Sequence, residues 1–185
     1  MAVVISAATH AVGRLPAPVA VAVGFAALIL VVMPGFWEMV RLVDTMAHEG
    51  AHAVVGYLGP SGFGLAAAGL IAHSQIVPVL WIGVLLLVIL LLSVRNLFGI
   101  AVVIGTGFLL FSIVHSKNAG LEVVTAYLLS WMLLLSGVRS VLEHGTGAGD
   151  AGILREMTGF PRSLWYLLWL IGSIAALVWG STMLV

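Results

Sequence analysis

The chain has 185 residues, of which 62% are hydrophobic and 8% are charged, with seven basic and seven acidic side chains. A soluble globular protein carries about 25% charged residues, so this composition excludes a soluble enzyme. The balanced charge offers no basic patch for nucleic acid. Because the chain has no cysteine, disulfides and thiolate metal sites are excluded as well. The composition predicts an integral membrane protein.

Apolar segments of membrane-crossing length follow one another along the chain. A crossing helix needs about 20 mostly apolar residues. Six segments meet or nearly meet this requirement: 16–33, 36–58, 78–94, 97–114, 121–138 and 163–185. A seventh, 62–76, is short and rich in Gly and Ala, and it could be re-entrant. We therefore expect an all-α, polytopic transmembrane helical bundle of six to seven spans, forming one integral membrane domain over residues 1–185.

The one sizeable polar stretch is 139–162, and it precedes the last span. We expect a loop there, followed by a short interfacial helix that begins at Asp150. Seven crossings from a cytoplasmic N-terminus place Arg41 and Lys117 outside and five arginines inside, which the positive-inside rule favours. The five are Arg14, Arg95, Arg139, Arg155 and Arg162.

The second segment, 36–58, concentrates ionisable residues that are costly inside hydrocarbon. It contains His48, Glu49 and His52 in the pattern HExxH. On a helix, residues i and i+4 lie one turn apart on one face, so both imidazoles can bind one Zn²⁺. Glu49 lies beside them, where it can act as a general base toward water. A pair of buried, hydrogen-bonded histidines is the structural alternative.

Asp44 lies one turn before His48. Its carboxylate could orient a liganding histidine from the second coordination shell. It could also be the third ligand, although three successive turns of one straight helix surround a metal poorly. A third reading is an ion pair with Arg41 or contact with water.

A catalytic zinc needs a third protein ligand and an open position, and residues 53–58 supply no further histidine. The seven-span orientation places the motif in the inner half of the bilayer and makes 139–162 cytoplasmic. This location favours Asp150 or His144, although a loop aspartate can equally be a helix cap. The other candidates are His10, His73, His115, Glu122, Glu143 and Glu156, of which His115 and Glu122 fall on the wrong side.

Three groups of residues resemble a known family. Residues 44–54, which contain HExxH, look like the active-site helix of site-2-protease-type intramembrane zinc metalloproteases, and more narrowly of their short bacterial B-like branch. Arg95-Asn96-Leu97-Phe98-Gly99 opens a span as in that branch. The later pattern also matches: Asp150-Ala151, Leu154, Thr158-Gly159-Phe160-Pro161 and Trp165 to Trp169.

The resemblance implies a multi-pass protein of the bacterial cytoplasmic membrane that hydrolyses membrane-embedded or juxtamembrane peptide substrates. His48, His52 and Asp150 would bind Zn²⁺, and Glu49 would activate water. Asn96 matches a polar position that would polarise a substrate carbonyl, while a helix-capping asparagine is the alternative. Substrate identity and oligomeric state do not follow from the resemblance.

The chain departs from these relatives after the motif. They carry a sizeable polar segment there, whereas Gly59-Pro60-Ser61-Gly62 follows His52 within ten residues. A non-catalytic membrane scaffold or regulator derived from such a protease is therefore the second hypothesis. A proton or metal transporter is the third, but it predicts ionisable residues spread over several spans.

Overall fold

The computed structural model describes residues 13–37, 40, 58–94, 97–144 and 150–185. Within these ranges the regular structure is helical, which confirms the all-α prediction for that part of the chain. The helices are α1 (Ala17–Val32), α2 (Gly59–Ala72), α3 (Ile76–Ser93), α4 (Leu97–His115), α5 (Ala119–His144), α6 (Asp150–Thr158) and α7 (Arg162–Leu184).

Three of the described helices are long and apolar enough to cross a membrane: α4, α5 and α7. Their 19, 26 and 23 residues correspond to about 28, 39 and 34 Å at 1.5 Å per residue, against a hydrocarbon thickness of about 30 Å. Shorter apolar helices occur in α1, α2 and α3. The structure thus supports an integral membrane protein without confirming six to seven spans.

Prolines and one glycine mark the helix boundaries. Pro16 precedes α1, Pro60 lies in the first turn of α2 and Pro161 precedes α7. These positions suit proline because the first helical N–H groups have no intrahelical acceptor. Gly159 follows α6 with φ +77°, and its N–H donates to the Arg155 carbonyl at 2.8 Å. A left-handed residue of this kind ends a helix at low cost when it is glycine.

Helix α5 is the centre of the bundle, with α1, α2, α3 and α7 packed around it. Helix α2 runs antiparallel to α5, because Ser61 lies against Gly137 while Gly64 lies against Leu134. Helix α7 also runs antiparallel to α5, since Trp169 packs with Val141 whereas Gly180 contacts Leu134. The predicted weak segment therefore forms α2, which buries one face against the bundle through Gly64, Ala67, Ala68 and Ile71 and leaves Phe63 exposed.

Two ends of the bundle are distinguished by these contacts. The α6 end contains Val31, Leu58, Val141 and helix α6. The Lys117 end contains Arg14, Ala72 and the α4–α5 turn around Lys117. The hairpin of α3 and α4 lies against α5 with its turn-forming ends, Val94 and Leu97, on the side of the α6 end.

The direction of α1 corrects the predicted orientation. The Arg14 guanidinium donates to the Ala72 carbonyl, and the Leu15 N–H donates to the Tyr127 hydroxyl at 3.3 Å. At the other end of α1, the Val31 carbonyl accepts from Arg139. Helix α1 is therefore parallel to α5, whereas seven alternating crossings require the first and sixth spans to be antiparallel.

Arg14 consequently lies at the Lys117 end, away from Arg139, Arg155 and Arg162. The predicted grouping of Arg14 with these arginines was wrong, and a cytoplasmic N-terminus is not supported. The prediction of seven crossings assumes that each apolar segment crosses the membrane once. Val31 and Leu58, which flank the second segment, both lie at the α6 end.

Candidate functional site

The predicted site residues fall into two groups. His48, Glu49, His52, Asp44 and Asn96 lie outside the described residues. Asp150 is described, as the half-buried first residue of α6. The described residues therefore bear on the candidate site through Asp150 and through the residues that flank the HExxH motif.

The downstream flank of the motif packs against the helix that begins with Asp150. Leu58 joins a cluster whose buried members are Val141, Ala151, Leu154 and Trp169. Ala151, adjacent to Asp150, is 2% exposed. His52 is six residues from Leu58, a separation that spans at most about 20 Å even when fully extended. The fold thus brings Leu58 and the start of α6, where Asp150 lies, to the same end of the bundle.

The chain upstream of the motif packs against α5, the helix that also contributes Val141 to the downstream cluster. The Trp37 indole N–H donates to Glu143 Oε2 at 2.8 Å, and Arg139 Nε donates to Glu143 Oε1 at 2.7 Å. The Arg139 guanidinium also lies 4.0 Å above the Trp37 ring. Val31, Trp37 and Val40 are buried together beside α5. Both flanks of the motif therefore contact the last turns of α5.

The start of α6 is also covered by a cation. A Cβ placed on Gly152 would lie 3.5 Å from an Arg162 guanidinium nitrogen, so this guanidinium lies beside Gly152. Asp150 is the acidic residue of the first turn of α6.

The other candidate third ligands are less suitable. His73, His115 and Glu122 lie toward the Lys117 end, with the His115 ring stacked on Phe111 at 5.4 Å. Glu143 has one carboxylate oxygen accepting from Trp37 and the other from Arg139. Glu156 is exposed on α6, and His10 and the side chain of His144 lie outside the described parts of the chain.

Within the residues that the structure describes, no three His, Asp or Glu side chains converge as a metal-binding group. Because the two motif histidines lie outside those residues, this result does not test the predicted ligand set. Two imidazoles and one carboxylate are a donor set that suits zinc. The placement of Asp150 at the α6 end agrees with that set.

The family comparison covers most of the chain. A sequence model of the Peptidase M50B-like family matches residues 53–180. The chain belongs to this family. The site-2-protease-type resemblance with its B-like branch is thereby confirmed. No curated protein and no solved structure matches the chain significantly.

The range of the match is informative. It begins at Ala53, directly after His52, so it includes Asn96 and Asp150 but not HExxH. Membership therefore rests on the helices that follow the motif, and the motif is a separate observation that points to the same peptidase family. M50B-like membership indicates an intramembrane protease or a relative derived from one.

Sequence reasoning did not identify the contact between Trp37, Arg139 and Glu143. From the sequence, a loop is predicted from Arg139 onward, and Trp37 is assigned no partner. The available signal was the i, i+4 spacing of Arg139 and Glu143, which lets oppositely charged side chains meet on a helix. In the structure α5 continues through both residues to His144, beyond the predicted start of the loop.

Proposed function

We propose that this M50B-like protein is a zinc-dependent intramembrane endopeptidase, with membrane-embedded or juxtamembrane peptides as its substrates. The observation that carries the proposal is the cluster in which Leu58, six residues after His52, packs with Ala151 and Trp169. This cluster supports the proposal because it joins Leu58 to the helix that begins with Asp150, and the proposed ligand set comes from these two distant parts of the chain.

Each residue has a distinct role in the proposal. His48, His52 and Asp150 hold the metal, and Asp44 orients one of the histidines through its second ring nitrogen. Zinc supplies a Lewis acid that polarises the scissile carbonyl and makes water acidic enough to ionise near neutral pH. Glu49 accepts the proton of the attacking water and returns it to the leaving amine. Asn96 donates a hydrogen bond to a substrate carbonyl.

Glu49→Gln is the first test, because it removes the general base and keeps a side chain of the same size. We expect cleavage of a quenched transmembrane peptide to fall by at least about a hundredfold, while purified protein keeps one zinc per chain. The measurement is peptide hydrolysis in liposomes together with metal analysis of the same preparation. Undiminished hydrolysis in this variant would remove the proposed mechanism.

The second candidate is a scaffold or regulator that descends from such a protease. The short connection from His52 to Gly59 favours it, because little chain is left there to hold an unwound substrate. The parent protein separates the two candidates. One zinc per chain that is lost in His48→Ala, together with peptide hydrolysis, supports the peptidase. Zinc without hydrolysis across a panel of transmembrane peptides supports the scaffold.

A further inference from the structure

Four groups form a compact contact between α5 and the chain that precedes the HExxH motif. We name this contact the Trp37 clamp; it consists of the Trp37 indole, the Arg139 guanidinium, the Glu143 carboxylate and the Val31 carbonyl. Glu143 accepts from Trp37 at 2.8 Å and from Arg139 at 2.7 Å. Arg139 also donates to the Val31 carbonyl and lies over the Trp37 ring.

The clamp satisfies polar groups that are costly to leave unpaired. Trp37 is 4% exposed, and a buried indole N–H needs an acceptor. Val31 is in the last turn of α1, where carbonyls have no intrahelical donor. The Arg139 guanidinium donates to the Val31 carbonyl. Its positive charge also interacts favourably with the negative end of the α1 dipole. Replacing one of the four groups therefore leaves others buried without a hydrogen-bond partner, which lowers the free energy of unfolding.

The position of the clamp connects it to the candidate site. Trp37 is eleven residues before His48. On another face of the same turns, Val141 packs with Leu58 and Ala151. Residues 139–143 of α5 therefore contact the upstream flank of the motif, its downstream flank and the helix that begins with Asp150.

We propose that Arg139 and Glu143 are positioning residues that fix Trp37 on α5 and thereby set the motif histidines relative to Asp150. They touch neither substrate nor metal. The clamp itself is independent of the enzymatic role, whereas its effect on the metal site rests on the proposed function. Two separate measurements therefore test the two parts.

The first measurement reports the clamp without any catalytic readout. The chain has no cysteine, so spin labels attach only to introduced ones. Phe36 and Val77 are exposed, next to Trp37 and at the start of α3 respectively. We expect a narrow distance distribution between labels on Phe36→Cys and Val77→Cys in liposomes. Glu143→Ala should broaden or shift it, while Glu143→Gln, which keeps an oxygen acceptor for Trp37, should restore most of the narrow distribution.

The second measurement is zinc affinity by competition with a chelator. Glu143→Ala should weaken zinc binding about tenfold, as loss of a supporting group around a metal site does. Trp37→Phe should also weaken zinc binding. The double variant, which combines Trp37→Phe with Glu143→Ala, should bind zinc no more weakly than Glu143→Ala alone, because both substitutions remove the same interaction. Glu122→Ala, on the same helix at the far end, is the matched control. Gly64→Ala destabilises the bundle away from the clamp, and it should leave zinc affinity unchanged.

The outcomes separate the two claims. An unchanged label distance in Glu143→Ala overturns the clamp. A changed distance with unchanged zinc affinity overturns the positioning role while the proposed function stands. A parent protein that binds no zinc contradicts the proposed function, and the label distances still decide whether the clamp exists. Equal zinc losses in Glu143→Ala and Gly64→Ala also overturn the positioning role.

Discussion

At the scale of single residues, the position of Asp150 is compatible with two roles, that of a helix cap and that of a ligand of the proposed metal. It lies in the first turn of α6, where the helix dipole favours an ionised carboxylate. It also begins the helix that packs through Ala151 and Leu154 against the motif flank. A capping role needs only a short polar acceptor, whereas binding a metal with an ionised oxygen needs a carboxylate. One substitution can therefore distinguish the roles.

Asp150→Asn keeps a capping side chain and removes the negative charge. We expect zinc affinity to fall by at least about a hundredfold, with the melting temperature of the metal-free protein nearly unchanged. Chelator competition and thermal unfolding in detergent provide the two values. Glu156→Gln, at an exposed position of the same helix, is the control. If both variants bind zinc as the parent does, Asp150 is a helix cap.

At the scale of helices, the contact between α2 and α5 depends on small residues. Ser61 and Gly64 of α2 are buried against Gly137 and Leu134 of α5, and the Ser130 hydroxyl donates to the Gly64 carbonyl at 3.0 Å. In a membrane, helices gain little from the hydrophobic effect, so close backbone packing and interhelical hydrogen bonds hold them together. The Gly- and Ala-rich composition that makes 62–76 a weak span is what allows one face of α2 to pack closely against α5.

Gly64→Ala tests this packing. The added Cβ would lie 2.8 Å from the Leu134 backbone nitrogen, which moves only if the helices separate. We expect a loss of about 1–3 kcal/mol in the free energy of unfolding. Gly69→Ala makes the same change on the same helix with nothing within 4 Å, and it should be neutral or slightly stabilising. Unfolding in mixed micelles measures both, and equal stabilities would show that the contact is looser than described.

At the scale of the whole molecule, the direction of α1 decides which ends of the chain share a side of the membrane. The helical turn at 34–37, which contains Gly35, lies at the α6 end with Arg155, and Lys117 lies at the other end. The predicted seven crossings placed residues 33–36 and Lys117 on one side. The seven-crossing prediction therefore places Gly35 on the same side of the membrane as Lys117, whereas the structure places these residues at opposite ends of the bundle.

Single cysteines at Gly35, Lys117 and Arg155 test the direction of α1. We expect an impermeant maleimide to label Gly35→Cys and Arg155→Cys from one side of sealed vesicles and Lys117→Cys from the other. A Cβ at Gly35 has open space within 4 Å, so this substitution is tolerated. The parent chain, which has no cysteine, gives the background. Labelling of Gly35→Cys together with Lys117→Cys would restore the seven-crossing arrangement.

The amino-acid sequence by itself determined the membrane class, the helical class, the M50B-like family and the HExxH pattern. The membrane class, the helical class and the HExxH pattern depend on composition or on residues within one or two turns of each other, because leaving water and forming a helix are local properties of a segment. The family follows from short motifs distributed along the chain, each of which is read without knowing its tertiary neighbours. The short helix that begins at Asp150 also follows from the sequence, since this residue opens an amphipathic stretch in an otherwise apolar chain.

Only the tertiary structure decided the direction of α1, the close packing of α2 on α5 and the Trp37 clamp. Hydropathy reports whether a segment leaves water, but not which neighbour it packs against or at which end it begins. Trp37 and Glu143 are 106 residues apart, and Gly64 and Ser130 are 66 apart. Contacts over such separations arise from the packing of whole helices. The contribution of a small or charged residue is therefore known only when its partner on the neighbouring helix is known.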